Sequence, residues 1–253
     1  YRVSEKADIF IENFRPAVLS ELGIDYKSIK KVNPNIVYVA ISGFGLTGPY
    51  KKKAAYDLVM QGMSGIMSLT GERDGPPMPV GFFLADFATS AYTVIAIMAA
   101  LKMREKTGRG QMIDVSMFDV MTSWMGYQIL EYLASGEVPT RQGLAFLYLG
   151  EYGTFKAKDI YFNVCSITNT HFKTLCQVLG IDKLADDAKF NSRLMRQTNA
   201  AELRAILTEV ISNMNGKDLL KKLTKAEIPC GPIYDIAELA SDPHVRARKM
   251  LQK

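Results

Sequence analysis

Histidine is almost absent from this chain: His171 and His244 are the two in 253 residues. A His-rich zinc site or a Ser-His-Asp triad would have to rest on one of them, and neither sits in a supporting motif. Cysteine is scarce as well. Cys165, Cys176 and Cys230 show no metal-ligand spacing and cannot all pair with one another, so reduced cytosolic thiols and no metal are expected. Charge of one sign is also lacking. The formal net charge of +5 is too mild for a nucleic-acid partner but suits an anionic small molecule. Long apolar runs are missing: the most apolar helix-like run, Ala91 to Met103, has 13 residues, against the ~20 of a spanning helix. No secretory signal is visible, and no membrane partner is expected. Tyr1 is not a start methionine, and residues 1–16 read like the middle of a domain. A fragment of a longer chain is the expectation.

What is present suits a globular protein of one large domain or two smaller ones, at 48% hydrophobic and 23% charged residues. Residues 7–13 read as a short strand, 17–23 and 26–31 as helices, and 35–42 as a β-branched strand. That alternation predicts a parallel α/β sheet. A long helix follows Asp86. Its apolar face runs through Val94, Ile97, Met98 and Leu101, with Lys102, Arg104 and Lys106 near its end and Gly108 as its stop. Residues 110–117 return as a strand, and 118–134 as an apolar helix ending near Gly136. The character then changes. Residues 137–152 are loop-like and 160–166 a strand. Helices are expected at 170–179, 200–213 (capped by Thr198 or Asn199) and 217–226, before an extended connector at 228–236.

Several motifs admit two readings. Gly43, Gly45 and Gly48 form a GxGxxG pattern after a strand, but Pro49, Tyr50 and three lysines follow where a dinucleotide fingerprint needs a helix. A glycine-rich loop with left-handed turns fits better. Lys51, Lys52 and Lys53 read as a solvated run or as a phosphate contact. Tyr56 and Asp57 read as a half-buried tyrosine and a helix-capping aspartate. Asp86 follows Phe82, Phe83 and Leu84, which resemble a buried strand, and precedes small residues. It is either an N-cap or a nucleophile, and the two are compatible. A carboxylate at a helix N-terminus is held ionised by amides and dipole, and the ionised form attacks carbonyl carbon.

Six blocks in register then carry a resemblance across nearly the whole chain: IENFRP (Ile11–Pro16), SGFGLTGPY (Ser42–Tyr50), AYDLVMQGMSG (Ala55–Gly65), LADF (Leu84–Phe87), REKTGRGQMIDVSM (Arg104–Met117) and IPCGPIYDIAELASDPHVRARKM (Ile228–Met250). Together they resemble the family III coenzyme A transferases, the group of formyl-CoA transferase and carnitine CoA-transferase. The resemblance implies a cytoplasmic, interlocked homodimer with an α/β fold. Residues 1–117 would be part of a large Rossmann-like CoA-binding domain, 118–145 a helical linker, 146–230 a small α+β domain, and 231–253 a linker returning towards the large domain. It implies acyl-CoA and a small carboxylic acid as substrates, coenzyme A as the group moved, and no metal. Asp86 matches the nucleophile and Asp57 an acidic position implicated in catalysis. Asn13, Phe14 and Met117 match positions that touch CoA, with Arg15 beside them as an anion partner and Tyr56 in the cleft.

Two features depart from the pattern. The region of the glycine-rich active-site loop, RQGLAFLYLGEYG (Arg141–Gly153), has no glycine run, which argues against formate/oxalate specificity. The resemblance also implies that residues 1–253 would lack the family's N-terminal segment, which supplies CoA and oxyanion contacts. Two alternatives stand beside transfer. In the related α-methylacyl-CoA racemases a histidine occupies the position of Tyr56, and tyrosine, with a pKa near ~10, is a poor base there. The other is a non-catalytic CoA-binding relative.

Overall fold

The computed structural model describes residues 1–14, 16–146 and 148–252. The chain divides into two compact units, Tyr1–Arg141 and Gln142–Lys253.

The first unit is built on a parallel sheet of order β1-β2-β3, with β1 at Ile9–Glu12, β2 at Val37–Ser42 and β3 at Gln111–Ser116. Between β1 and β2 run α1 (Pro16–Leu22) and α2 (Tyr26–Val32). Between β2 and β3 run α3 (Asp57–Met63), α4 (Ile66–Leu69) and α5 (Leu84–Thr107). Helices α6 (Met117–Trp124) and α7 (Gly126–Ser135) follow β3. The central strand is apolar on consecutive residues because both its faces are covered. Val37 and Val39 meet Met60, Ala85, Ile97 and Met121 on one side. Tyr38 and Ala40 meet Ile29 and Ile36 on the other.

Helix α5 differs from its expected form. It runs 24 residues, and an 18-residue window within it has a mean hydropathy of 1.6, long and apolar enough to cross a membrane by length and composition alone. Its buried face is Ala85, Ala88, Thr89, Thr93, Ile97 and Ala100. These are mostly small side chains, which let the helix lie close to the sheet. Val94 and Met98, expected on the inner face, are 60% and 63% exposed. Gly108 ends the helix at φ 67, a left-handed conformation that costs glycine nothing. The single helix expected over 118–134 is broken at Met125, between α6 and α7.

The second unit holds an antiparallel sheet of order β4-β5-β6-β7. Its strands are β4 (Ala145–Phe146), β5 (Leu149–Lys156), β6 (Tyr161–Cys165) and β7 (Cys230–Pro232). Its helices are α8 (Asn169–Leu179), α9 (Arg193–Thr198), α10 (Ala200–Ser212), α11 (Gly216–Lys225), α12 (Ile236–Ser241) and α13 (Pro243–Ala247). Strands β4 and the start of β5 fall where a loop was expected. Their glycines mask the strand pattern, and packing requires one of them: a Cβ on Gly150 would lie 2.6 Å from the Ala200 carbonyl oxygen. Phe155, Phe162 and Val164 from the sheet pack on Phe172, Leu207 and Leu223 from the helices. Glu151 and Arg196, both fully buried, form an ion pair at 2.5 Å, and the guanidinium lies 4.6 Å from the Phe172 ring centroid.

Candidate active site

The parallel sheet ends in three tight structures. After β1, the buried Glu12 carboxylate accepts the Phe14 N–H at 2.9 Å, and burial raises its pKa. After β2, Ser42 Oγ accepts the Gly45 N–H at 3.0 Å, and Asp114 accepts the Leu46 N–H at 3.0 Å. Gly45 and Gly48 take φ of 78 and 80, so this is the glycine-rich loop with left-handed turns. After β3, Ser116 Oγ caps α6 through the Asp119 N–H at 3.1 Å, and Met117 opens that helix.

A cleft of about 440 Å³ lies in the same unit, bounded by Tyr56, Asp57, Gln61, Val80, Phe82 and Asp86 among others. Asp57 opens α3 and is 8% exposed. One of its oxygens, Oδ1, accepts the backbone N–H of Ala85 at 2.7 Å and of Asp86 at 3.4 Å. The other, Oδ2, accepts from Gln61 Nε2 at 2.6 Å. Asp57 therefore caps α5 from another element, 29 residues upstream of Asp86.

That arrangement corrects two expectations. Asp86 is not the N-cap. Phe83 holds that position without a side-chain bond, and Asp86 lies in the first turn. Nor is the Asp86 carboxylate held ionised by the helix amides, because Asp57 has taken two of them. Its pKa is raised, first by desolvation and then by the negative charge of Asp57. A carboxylate less stabilised as an anion is the stronger base and nucleophile. Phe82 and Phe83 differ too. They form no strand and are 54% and 66% exposed. The preceding residues, with Gly71, Gly75, Pro76, Pro77 and Pro79, supply few amides for strand pairing.

The cleft thus gathers Tyr56, Asp57 and Asp86, with Tyr56 80% exposed. Asn13, Phe14 and Met117 stand at the C-terminal edge of the sheet and do not line it. Arg15 lies outside the described residues. Sequence reasoning missed Gln61 and Glu12. The spacing of Asp57 and Gln61, i and i+4 on one helix, was the available signal. A second cleft of about 500 Å³ lies in the other unit, beside Thr154, Asp159 and Tyr161. Its carboxylate, on Asp159, is engaged by the amides of Gly216 and Lys217 at the start of α11. Among the described residues, no three His, Cys, Asp or Glu side chains gather as metal ligands.

A family model described as CoA-transferase family III matches residues 1–253. The chain is 39% identical over 98% of its length to a succinate–glutarate CoA-transferase of Agrobacterium fabrum, covering 62% of that protein. It is 40% identical over 98% of its length to an acetyl-CoA:oxalate CoA-transferase of Acetobacter aceti, covering 64% of it. A crystal structure of a CaiB/BaiF family protein from Brucella suis superposes with a TM-score of 0.87 at 43% identity, over 98% of this chain and 66% of that one. The chain spans somewhat under two thirds of the length of these relatives.

Proposed function

The chain belongs to CoA-transferase family III, and on that premise we propose that it moves coenzyme A from an acyl-CoA to a free carboxylic acid, with Asp86 as the nucleophile. The Asp86 carboxylate attacks the thioester carbonyl carbon, the C–S bond breaks, and an acyl-aspartyl anhydride and CoA thiolate form. The thiolate attacks the aspartyl carbonyl, expelling the first acid and leaving an aspartyl-CoA thioester. The acceptor carboxylate attacks that thioester, the C–S bond breaks, and a second anhydride and CoA thiolate form; the thiolate then attacks the acceptor's carbonyl carbon, giving the new acyl-CoA and releasing the Asp86 carboxylate. Substrates and products each hold one thioester and one free carboxylate, so the exchange needs no ATP. Water must be kept away from the anhydride, a role that suits Phe82 and Phe83 beside the cleft.

The observation that carries this reading is the state of Asp86. Its carboxylate borders a cleft, on a helix whose first amides are held by Asp57, with its own pKa raised. Asn13, Phe14, Arg15, Tyr56 and Met117 are assigned to CoA. The large Rossmann-like domain, the interlocked homodimer and the cytoplasmic location belong to the same proposal. The named relatives act on succinate, glutarate and oxalate, so small dicarboxylates are the proposed acid class. The test incubates the full-length protein with succinyl-CoA, acetyl-CoA and longer acyl-CoAs, traps with hydroxylamine, and maps the product by mass spectrometry. Modification of Asp86 is expected. Full transfer activity in Asp86→Asn would overturn the mechanism.

A further inference from the structure

Gln61 lies on α3, 1% exposed, with both amide donors and its carbonyl oxygen engaged. Nε2 donates to Asp57 Oδ2 at 2.6 Å and to the Phe82 carbonyl at 3.2 Å, while Oε1 accepts the Val80 N–H at 2.9 Å. The amide has one admissible orientation. Flipped, its oxygen would face a carboxylate and a carbonyl, and its NH2 would face an N–H donor. A continuous chain of bonds therefore runs from the Val80–Phe82 wall through Gln61 to Asp57, and from Asp57 to the Ala85 and Asp86 amides.

We infer that Gln61 is a positioning residue for the reaction proposed above: it fixes the Asp57 carboxylate against the start of α5 and ties it to the cleft wall, so that Asp86 meets the thioester carbonyl in one geometry. Gln61 borders the cleft but is almost wholly buried, and its polar atoms face protein groups. It acts through Asp57 and through the loop that carries Phe82. Without its donors, Oδ2 of Asp57 lies buried without a partner. The carboxylate is then free to rotate, and the Ala85 and Asp86 bonds loosen with it. A displacement of the nucleophile on that scale costs on the order of 10- to 100-fold in rate.

The inference rests on the transferase reading, and the test separates the two. Gln61→Glu keeps the shape and the Val80 bond but presents an acceptor to Asp57 and Phe82. The introduced carboxyl sits beside Asp57 in a buried place, so its own pKa is raised and acid returns a proton that donates to Asp57. The ionisable groups bordering the cleft are Tyr56, Asp57 and Asp86. Because Asp86 also loses charge in acid, the quantity to read is the variant-to-wild-type ratio at each pH. Single-turnover acylation of the full-length protein by succinyl-CoA and by acetyl-CoA, trapped at Asp86, is measured from pH 5.5 to 8.5. The expected ratio is about one tenth or lower at pH 8.5, rising towards unity at pH 5.5. Gln61→Met, which has no donor at any pH, should stay uniformly slow. A ratio near one at every pH, or equal slowing by both variants with no acid recovery, overturns the inference while the transferase reading stands. Absence of labelling in the wild type with either acyl-CoA overturns both. Should Gln61→Glu unfold at neutral pH, recovery of its circular dichroism in acid supports the role, and persistent unfolding refutes it.

Discussion

Two regions of this chain place charge in opposite ways. In the second unit, Glu151 and Arg196 are wholly buried and neutralise each other at 2.5 Å. In the first, two carboxylates, Asp57 and Asp86, share one cleft, and the charge of the first raises the pKa of the second. An opposite pair in a packed core is a matter of stability once its partner is present. A like pair beside a cleft is a standing cost to the fold and a source of reactivity. The surfaces differ in parallel. The second unit closes α8, α10 and α11 over Phe155, Phe162 and Phe172, whereas no residue of α7 is buried and α5 exposes Val94, Ile95 and Met98.

The sharpest way to break the comparison is to remove each charge and compare activity with stability. Asp86→Asn should lower transfer by at least about 10⁴-fold. Its stability should be equal to or slightly above that of the parent at neutral pH. The sign follows from the raised pKa. The folded state binds a proton more tightly than the unfolded one, so stability falls as pH rises from the unfolded pKa through the folded one. Asparagine removes that loss. Urea titration at pH 5 and pH 8 checks it, and an Asp86→Asn protein markedly less stable at pH 8 would contradict the account. Glu151→Gln should do the reverse. It leaves Arg196 buried without its counter-charge, costing about 3–5 kcal/mol, with acylation per folded molecule unchanged.

A smaller effect separates the two causes of the raised pKa. Asp57→Asn removes a charge but not the desolvation, which is the larger cause. The acid limb of the acylation rate should therefore move to lower pH, yet not as far as the value of a free aspartate. No movement would mean that Asp57 acts by geometry alone. Beside it, Tyr56→His tests the racemase alternative, with no gain of α-proton exchange in deuterated water expected.

Much of the frame was legible because it depends on local pattern. The run at Val37–Ala40, the stops at Gly108 and Gly136, and the helices of the second unit all follow from neighbours in sequence. The errors lie where tertiary contacts decide. Asp86 reads as a cap because aspartate favours that position, but the cap is supplied by Asp57 from another helix. Val94 and Met98 read as core because they are apolar, yet Ala85, Ala88 and Ala100 make the close approach to the sheet. Phe82 and Phe83 read as strand on composition, where the proline-rich residues before them leave little to pair. Gln61 drew no notice because a glutamine on a helix usually faces water, and only the fold turns it towards Asp57.

The smallest effect contrasts glycines. Gly108 ends α5 at φ 67 with open space where a Cβ would sit. Gly108→Ala should therefore cost only the left-handed backbone penalty, about 1–2 kcal/mol, and Gly108→Asn less, since asparagine tolerates that conformation. Gly150 lacks such space: a Cβ there would meet the Ala200 carbonyl oxygen at 2.6 Å and the Arg204 nitrogen at 3.0 Å. Gly150→Ala should accordingly force β5 and α10 apart and destabilise well beyond Gly108→Ala. Equal melting shifts for the two alanine variants would show that the second unit yields as readily as the end of a surface helix, and the contrast in packing between the units would be lost.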